Sequence, residues 1–446
     1  MASTLLFLIF LVGGCVFLRA FKAYDGVLQF PFLMTCDLLF FLGPQLYYLS
    51  LHPEVYGMHD PGALSLYLGV TLLFYVAAVA GYHSPVQSFK IPNFSFNENK
   101  MIVGLYGLIL ISIYGKVKLA GLSEELTSST QWTGLPVRYL FFSSVGTLCI
   151  PLGIILFFKY RRKIILPALG MEVMSALSVI IFGGRRSPAA FLAIMVLTGL
   201  WFARRIKISR MAIIGGGIVF FMFVMNVGTY RHLVNTDDPE KWSKITSEVF
   251  DIKKTISKFT EKEGSKSSSS YVDGLNGVLA VSAINETMKF DYGVVLWNQL
   301  IGRWVPGQLI GRSFKQSLIL EINSCKQTLS DHYGYKLKAG TCMPGYAEIF
   351  GSFGFLGFIF MYFAGRITRL VWEQSLAGNL IAQVCHFALA PMYLRFGGGG
   401  IWLLITGLGF WAIFLTPILW WAKEKRLDHY PLQETEPPST SGQTVN

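Results

Sequence analysis

The sequence predicts an all-α protein that crosses a membrane many times. Of its 446 residues, 52% are hydrophobic and only 14% are charged, whereas soluble globular proteins carry about 25% charged residues. Apolar runs of the length that spans a bilayer core, roughly 20 residues, recur along the chain. The composition excludes a soluble enzyme, a disordered protein and a nucleic-acid-binding protein, although the net charge is +12.

Apolar segments of spanning length occur at eleven places, so we predict about eleven transmembrane helices. The first is not expected to be a cleaved signal, because its basic residues, Arg19 and Lys22, follow the apolar run. Several segments contain Gly or Pro, which spanning helices tolerate. The eleven segments cover approximately residues 3–18, 27–50, 62–82, 101–119, 138–158, 164–183, 188–203, 211–230, 345–365, 376–396 and 400–422.

Basic clusters give the expected orientation, because Lys and Arg in short loops mark the cytoplasmic side. Every cluster follows an odd-numbered segment, which places the N-terminus outside and the C-terminus inside. The clusters are Arg19/Lys22, Lys90/Lys100, Arg161/Arg162/Lys163, Arg204/Arg205/Lys207/Arg210, Arg366/Arg369 and Lys423/Lys425/Arg426. The expected divisions are a bundle of about eight spans (1–230), an outer loop (231–343), three further spans (344–425) and a polar, disordered tail (426–446).

The outer loop is long enough to suggest a function. It begins with a charged, Ser-rich stretch at 261–270 and continues with two apolar stretches at 275–288 and 292–311. We expect both apolar stretches to form outer-face or interfacial helices that cover the bundle. The alternative is a re-entrant hairpin without a catalytic role.

Several positive charges fall on the outer side, against the usual bias. The guanidinium fork of Arg matches phosphate oxygens in pairs, and Pro188 suits the first turn of a helix whose free N–H groups would add to an anion site. These charges therefore predict a pyrophosphate site, with lipid headgroups or distant carboxylates as the alternative partners. The residues concerned are Arg185, Arg186, Arg231, Arg395, Lys116 and Lys118. The alternative is favoured for all of them except Arg185 and Arg186.

Three motifs in order carry a family resemblance. They are GGRRSP (183–188), FDYGVVLWNQLIGRWVPGQLIGRSFK (290–315) and GTCMPGYAEIFGSFGFLGFIF (340–360). Over about residues 180–366 the chain resembles bacterial oligosaccharide repeat-unit polymerases, the Wzy-type O-antigen polymerases, in the GT-C-like group of membrane glycosyltransferases. It departs from the family in having Gly307 after the loop proline, where a basic residue is common, so Arg303 or Arg312 would take that role.

The resemblance implies a multi-pass protein of the bacterial inner membrane whose active site faces the periplasm. The implied activity is transfer of a growing glycan from undecaprenyl pyrophosphate to a new lipid-linked repeat unit, in lipopolysaccharide or other polysaccharide synthesis. Lipid-linked donor and acceptor, membrane lipids and a chain-length regulator protein are the expected partners, with no nucleic acid and no cofactor.

We expect fixed cationic groups, and no metal, to stabilise the leaving pyrophosphate. The sequence shows no DxD or NxD motif where a metal-dependent site would need one. Asp237/Asp238 is the alternative metal-binding pair, although such pairs are more often solvated helix caps. The expected donor-binding residues are Arg185, Arg186 and Arg231, followed by Arg303, Lys315 and Arg395.

His332 and Glu348 are the candidate catalytic residues. An imidazole in the outer loop has suitable chemistry for a general base, and a carboxylate inside a predicted span is costly unless it pairs or works. The alternatives are an ordinary surface histidine and a structural ion pair. Asp37 and Glu172, also within spans, are expected to be interhelical hydrogen-bond partners. Cys325 and Cys342, both in the outer loop, would form either a disulfide or two free thiols.

Two other functions remain open from the sequence. An O-antigen ligase would share the donor and topology but use a lipid A core acceptor. A lipid or polysaccharide transporter would carry charges at mid-bilayer in several spans and related halves.

Overall fold

In the structure, a computed structural model, all the regular elements of the described part are helices, and that part contains no β-sheet. The described residues are 1–56, 60–85, 91–123, 135–181, 186–204, 209–226, 230, 233–234, 241–249, 251, 272–305, 307, 311–338, 341–394 and 402–424.

The helices of the N-terminal part are α1 (Ala2–Lys22), α2 (Phe30–Asp37), α3 (Gly43–Leu51), α4 (Ala63–His83), α5 (Glu98–Ala120), α6 (Leu135–Ser143), α7 (Gly146–Tyr160), α8 (Ile165–Ile181), α9 (Arg186–Arg204) and α10 (Arg210–Met225). The predicted outer loop contains α11 (Lys241–Val249), α12 (Val272–Thr287), α13 (Val294–Trp304), α14 (Arg312–Ser317) and α15 (Cys325–Tyr333). The C-terminal part contains α16 (Gly345–Phe353), α17 (Gly357–Leu376), α18 (Leu380–Tyr393) and α19 (Trp402–Ala422).

The protein is an α-helical membrane protein. Within the described residues, six helical stretches are long and apolar enough to cross a bilayer: Ala2–Lys22, Phe30–Leu51, Ala63–His83, Glu98–Ala120, Leu135–Tyr160 and Gly345–Leu376. Shorter apolar helices occupy the other expected positions: Ile165–Ile181, Pro188–Ala203, Arg210–Val219, Leu380–Tyr393 and Leu408–Ala422. The total of eleven spans and the GT-C-like class stay predictions.

Helices α4 and α17 pack closely because glycines let their backbones approach. A Cβ atom on Gly81 would lie 1.9 Å from the carbonyl oxygen of Tyr362, and one on Gly365 would lie 2.0 Å from that of Ala78. Small residues at helix contacts are the usual device of membrane proteins, where lipid supplies no hydrophobic drive for association. This contact joins the third expected span to the ninth.

Helix α12 differs from the expected interfacial helix. From Val272 to Ile284 every residue except Asp273 is buried, and α12 packs against α3, α4, α15 and α16. Small residues allow this fit: a Cβ on Gly277 would lie 2.7 Å from the Tyr67 ring. Apolar and small residues lie on all sides of the segment up to Ile284, with Asn276 and Ser282 as buried polar exceptions, a pattern typical of an enclosed helix.

Candidate functional site

The predicted base, His332, lies in the last turn of α15 and pairs with a carboxylate at the end of α12. Its Nε2 is 2.6 Å from Oε2 of Glu286. Both side chains are partly open, with exposed fractions of 33% for His332 and 38% for Glu286. A ligand can therefore reach the imidazole.

Glu286 is also held by its other neighbours. The Tyr333 hydroxyl donates to Oε1 of Glu286 over 2.7 Å. The Ser282 hydroxyl, 3.0 Å from that of Tyr333, shares its proton between Oδ2 of Asp60 at 2.6 Å and Oε1 of Glu286 at 3.3 Å. Desolvation raises the pKa of Glu286, but the hydrogen bonds from His332, Tyr333 and Ser282 outweigh it, so that the pKa lies below its ordinary value. Desolvation and the Glu286 carboxylate raise the pKa of Tyr333 to about 12. Glu286 is therefore an anion with fixed donors.

This arrangement assigns different roles to the two nitrogens of His332. A carboxylate accepts hydrogen bonds, so Nε2 carries the proton and faces Glu286. In the neutral imidazole the acceptor is then Nδ1, which forms no hydrogen bond to any described residue. The pair has the arrangement expected of a general base whose imidazole ring is oriented by a carboxylate.

The second predicted catalytic residue, Glu348, lies in a different place. It is in the first turns of α16 and lines a cavity of about 220 Å³. Its Oε2 atom is buried and has no hydrogen-bond partner in the part of the chain that the structure describes. The cavity walls come from α13, α15 and α16, and consist of Asp291, Val295, Gln299, Ser324, Cys325, Lys326, Met343 and Glu348.

Asp291 is the other carboxylate of this cavity. Its Oδ1 accepts hydrogen bonds from the Ser352 hydroxyl, at 2.9 Å, and from the backbone N–H of Gly293, at 2.8 Å. Desolvation raises the pKa of Asp291 and outweighs the lowering by these hydrogen bonds. The cavity is thus lined by two acidic side chains and by Lys326, which is also exposed to solvent.

His332 and Glu348 do not belong to the same cluster of side chains. Cys325, which lines the Glu348 cavity, precedes His332 by seven residues on α15, which is about 10 Å of helix rise. Each residue has its own surroundings. The structure therefore separates the two predicted catalytic residues into a histidine pair and an acidic cavity at opposite ends of one short helix.

The predicted donor-binding residues are described only in part. Lys315 donates from Nζ to the carbonyl oxygen of Gly302 over 2.6 Å, which caps the last turn of α13. Arg186 begins α9 and Arg303 lies in α13. The prediction for Arg185, Arg231 and Arg395 lies outside the described residues, as does the one for Asp237/Asp238. The arginine clamp stays a prediction.

For Lys116, the alternative partner is confirmed. Its Nζ is 2.6 Å from Oε2 of Glu172, and the Glu172 side chain is only 3% exposed. Since α5 carries Lys116 and α8 carries Glu172, the pair is an interhelical contact, as expected for Glu172. The positive charge of Lys116 is therefore neutralised by Glu172 within the bundle.

Cys325 and Cys342 are free thiols. The Cys325 thiol is buried and donates weakly to the carbonyl oxygen of Ala347 over 3.6 Å. Desolvation, with the nearby charge of Glu348, raises its pKa well above the ordinary value. Such a thiol is inert. No cluster of three His, Cys, Asp or Glu side chains suited to a metal occurs among the described residues.

Sequence reasoning missed Glu286, Asp291 and Lys326. Glu286 had a usable signal, because a carboxylate interrupts the end of an otherwise apolar run. Asp291 lies at the start of the 290–315 motif, but nothing in that motif assigns it a role, and the CKQ stretch around Lys326 does not stand out from ordinary loop composition. The chain matches no protein-family model, and no curated protein or solved structure matches it significantly.

Proposed function

We propose that the protein polymerises lipid-linked oligosaccharide repeat units at the outer face of the membrane. The growing glycan leaves undecaprenyl pyrophosphate and joins the non-reducing end of a new lipid-linked unit. The observation that supports this proposal best is the His332–Glu286 pair, which leaves an acceptor nitrogen accessible at the surface of an apolar helical bundle.

The pair suits the proton transfer of this reaction. The acceptor hydroxyl gives its proton to Nδ1 of His332 while its oxygen bonds to the anomeric carbon of the donor. The bond from that carbon to the pyrophosphate oxygen breaks with its electron pair, and undecaprenyl pyrophosphate leaves. Glu286 stabilises the imidazolium that forms.

The predicted arginines would complete the site from the other side of the bond. Arg185 and Arg186 would balance the charge that grows on the leaving pyrophosphate, and no metal would be needed. In this proposal the imidazole and the arginines act at opposite ends of the reacting bond.

The test uses purified protein in nanodiscs with lipid-linked repeat units from the host. His332→Gln keeps hydrogen bonding but loses basicity, so we expect turnover to fall by about 10²–10⁴-fold. Glu286→Gln should lower turnover less, since the amide still holds the ring but does not stabilise its charge. Single-turnover rates over a pH series measure both effects.

The matched control is His52→Gln. His52 also pairs with a glutamate, its Nδ1 lying 2.9 Å from Oε1 of Glu54, and both side chains are exposed. This variant should keep wild-type turnover. Near-normal turnover of His332→Gln would overturn the assignment of the base, and glycan transfer only to a lipid A core acceptor would replace polymerase by ligase.

A further inference from the structure

The acidic cavity between α13, α15 and α16 has the features of a built binding site. Its volume of about 220 Å³ is roughly that of seven water molecules, enough for one ring-sized polar molecule. Glu348 directs a carboxylate into it, with a buried Oε2 atom that lacks a hydrogen-bond partner among the described residues. Since buried polar atoms are normally satisfied, a ligand or water is expected to supply the missing donor.

The walls offer both acceptors and donors. Asp291 and Glu348 accept hydrogen bonds, Lys326 donates them, and Gln299 does both. Val295 and Met343 add an apolar surface. A metal ion would meet the positive charge of Lys326, and an anion would meet the acidic side chains of Asp291 and Glu348. A neutral ring with several hydroxyl groups satisfies donors, acceptors and the apolar wall together.

We infer that this cavity binds a sugar ring of the acceptor unit, one that is not the reacting sugar. This inference rests on the proposed function, which supplies an oligosaccharide at the outer face. The cavity and His332 are separated by about 10 Å along α15, further than one sugar ring extends. A unit whose terminal hydroxyl meets His332 would therefore place an inner sugar in the cavity.

The inference predicts a specific kinetic signature. Glu348→Gln should raise the KM for the acceptor unit by about tenfold, the effect expected for one buried hydrogen bond. The kcat should stay within a few-fold of wild type, because the cavity does not contact the reacting atoms. His332→Gln should show the opposite pattern, a lower kcat at little changed KM.

A second variant tests the cavity without removing a charge. Val295→Phe places a bulkier side chain at the wall and should raise the same KM. The control is Glu321→Gln, since Glu321 is an exposed glutamate of the same outer segment and should leave both constants unchanged. Thermal unfolding of each variant confirms that the protein is folded.

Direct binding separates this inference from the proposed function. The probe is the host's repeat-unit oligosaccharide, freed of its lipid by mild acid, and saturation-transfer NMR measures its contact with the protein. We expect saturable binding to wild type and to Glu321→Gln, and at least tenfold weaker binding to Glu348→Gln. Equal binding to all three proteins, or a Glu348→Gln defect confined to kcat, would overturn the inference. Binding by a wild-type protein that does not polymerise would overturn only the proposed function.

Discussion

Removing Lys116 should destabilise the protein more than removing its partner Glu172. The two charges lie 2.6 Å apart, but the exposed fraction is 33% for Lys116 and 3% for Glu172. Lys116→Ala leaves a buried carboxylate without its cation, which typically costs 3–5 kcal/mol. Because the open side of Lys116 admits some screening, we expect about 3 kcal/mol, a change of about 150-fold in the unfolding equilibrium.

Glu172→Ala leaves a long cation that can extend toward the polar boundary, so its cost should be about 1 kcal/mol. The double variant Lys116→Met/Glu172→Leu should return close to wild-type stability, because a well-packed apolar pair replaces a buried ion pair at little cost. Equilibrium unfolding in mixed micelles, followed by tryptophan fluorescence, measures all three. Equal losses in the two alanine variants would refute the argument from unequal burial, and a double variant as unstable as Lys116→Ala would refute the role of the unpaired charge.

Four further predictions follow from the site. Arg186→Ala should lower the single-turnover polymerisation rate by about 10²–10³-fold, and Arg186→Lys should restore it only in part because an ammonium lacks the paired contact; full activity of the Lys variant would indicate headgroup anchoring. Polymerisation should continue in excess EDTA, whereas loss of activity that Mg²⁺ restores would promote Asp237/Asp238. In a cysteine-free background, Arg186→Cys and Ser265→Cys should react with an impermeant thiol reagent in intact cells, and Ile206→Cys only after permeabilisation. Folding lowers the pKa of the Glu286 carboxyl, so this group stabilises the fold above its ordinary pKa of 4.5. That contribution is lost as the pH falls through the folded pKa. The stability difference between wild type and Glu286→Gln, measured by thermal unfolding at several pH values, should therefore shrink on acidification.

The positions of the apolar helices were predictable because spanning length is a local property of the sequence. Each expected segment overlaps a helix, for example 62–82 with Ala63–His83 and 345–365 with Gly345–Leu376. The burial of α12 was harder, since a short apolar stretch with Asn and Glu suits an interfacial helix as well as an enclosed one. Only the packing with α3, α4, α15 and α16 decides between them.

The candidate site was predictable in its residue types and not in its pairings. His332 is indicated by its imidazole in a loop, and Glu348 by a carboxylate within a predicted span; each is indicated independently of the other. The Glu286–His332 contact joins residues 46 positions apart, and nothing local to either indicates the other. The acidic cavity likewise depends on three helices that meet only in the folded chain.

The enclosure of α12 has a consequence for biogenesis. Its walls are synthesised at different times, since α3 and α4 precede it and α15 and α16 follow it. At 16 residues, with Asp273, Asn276 and Glu286, α12 is too short and too polar to enter a bilayer alone. It must therefore fold into the bundle after α3 and α4 have assembled. A nascent chain that stops before α15 would leave the apolar residues of α12 with half their walls missing.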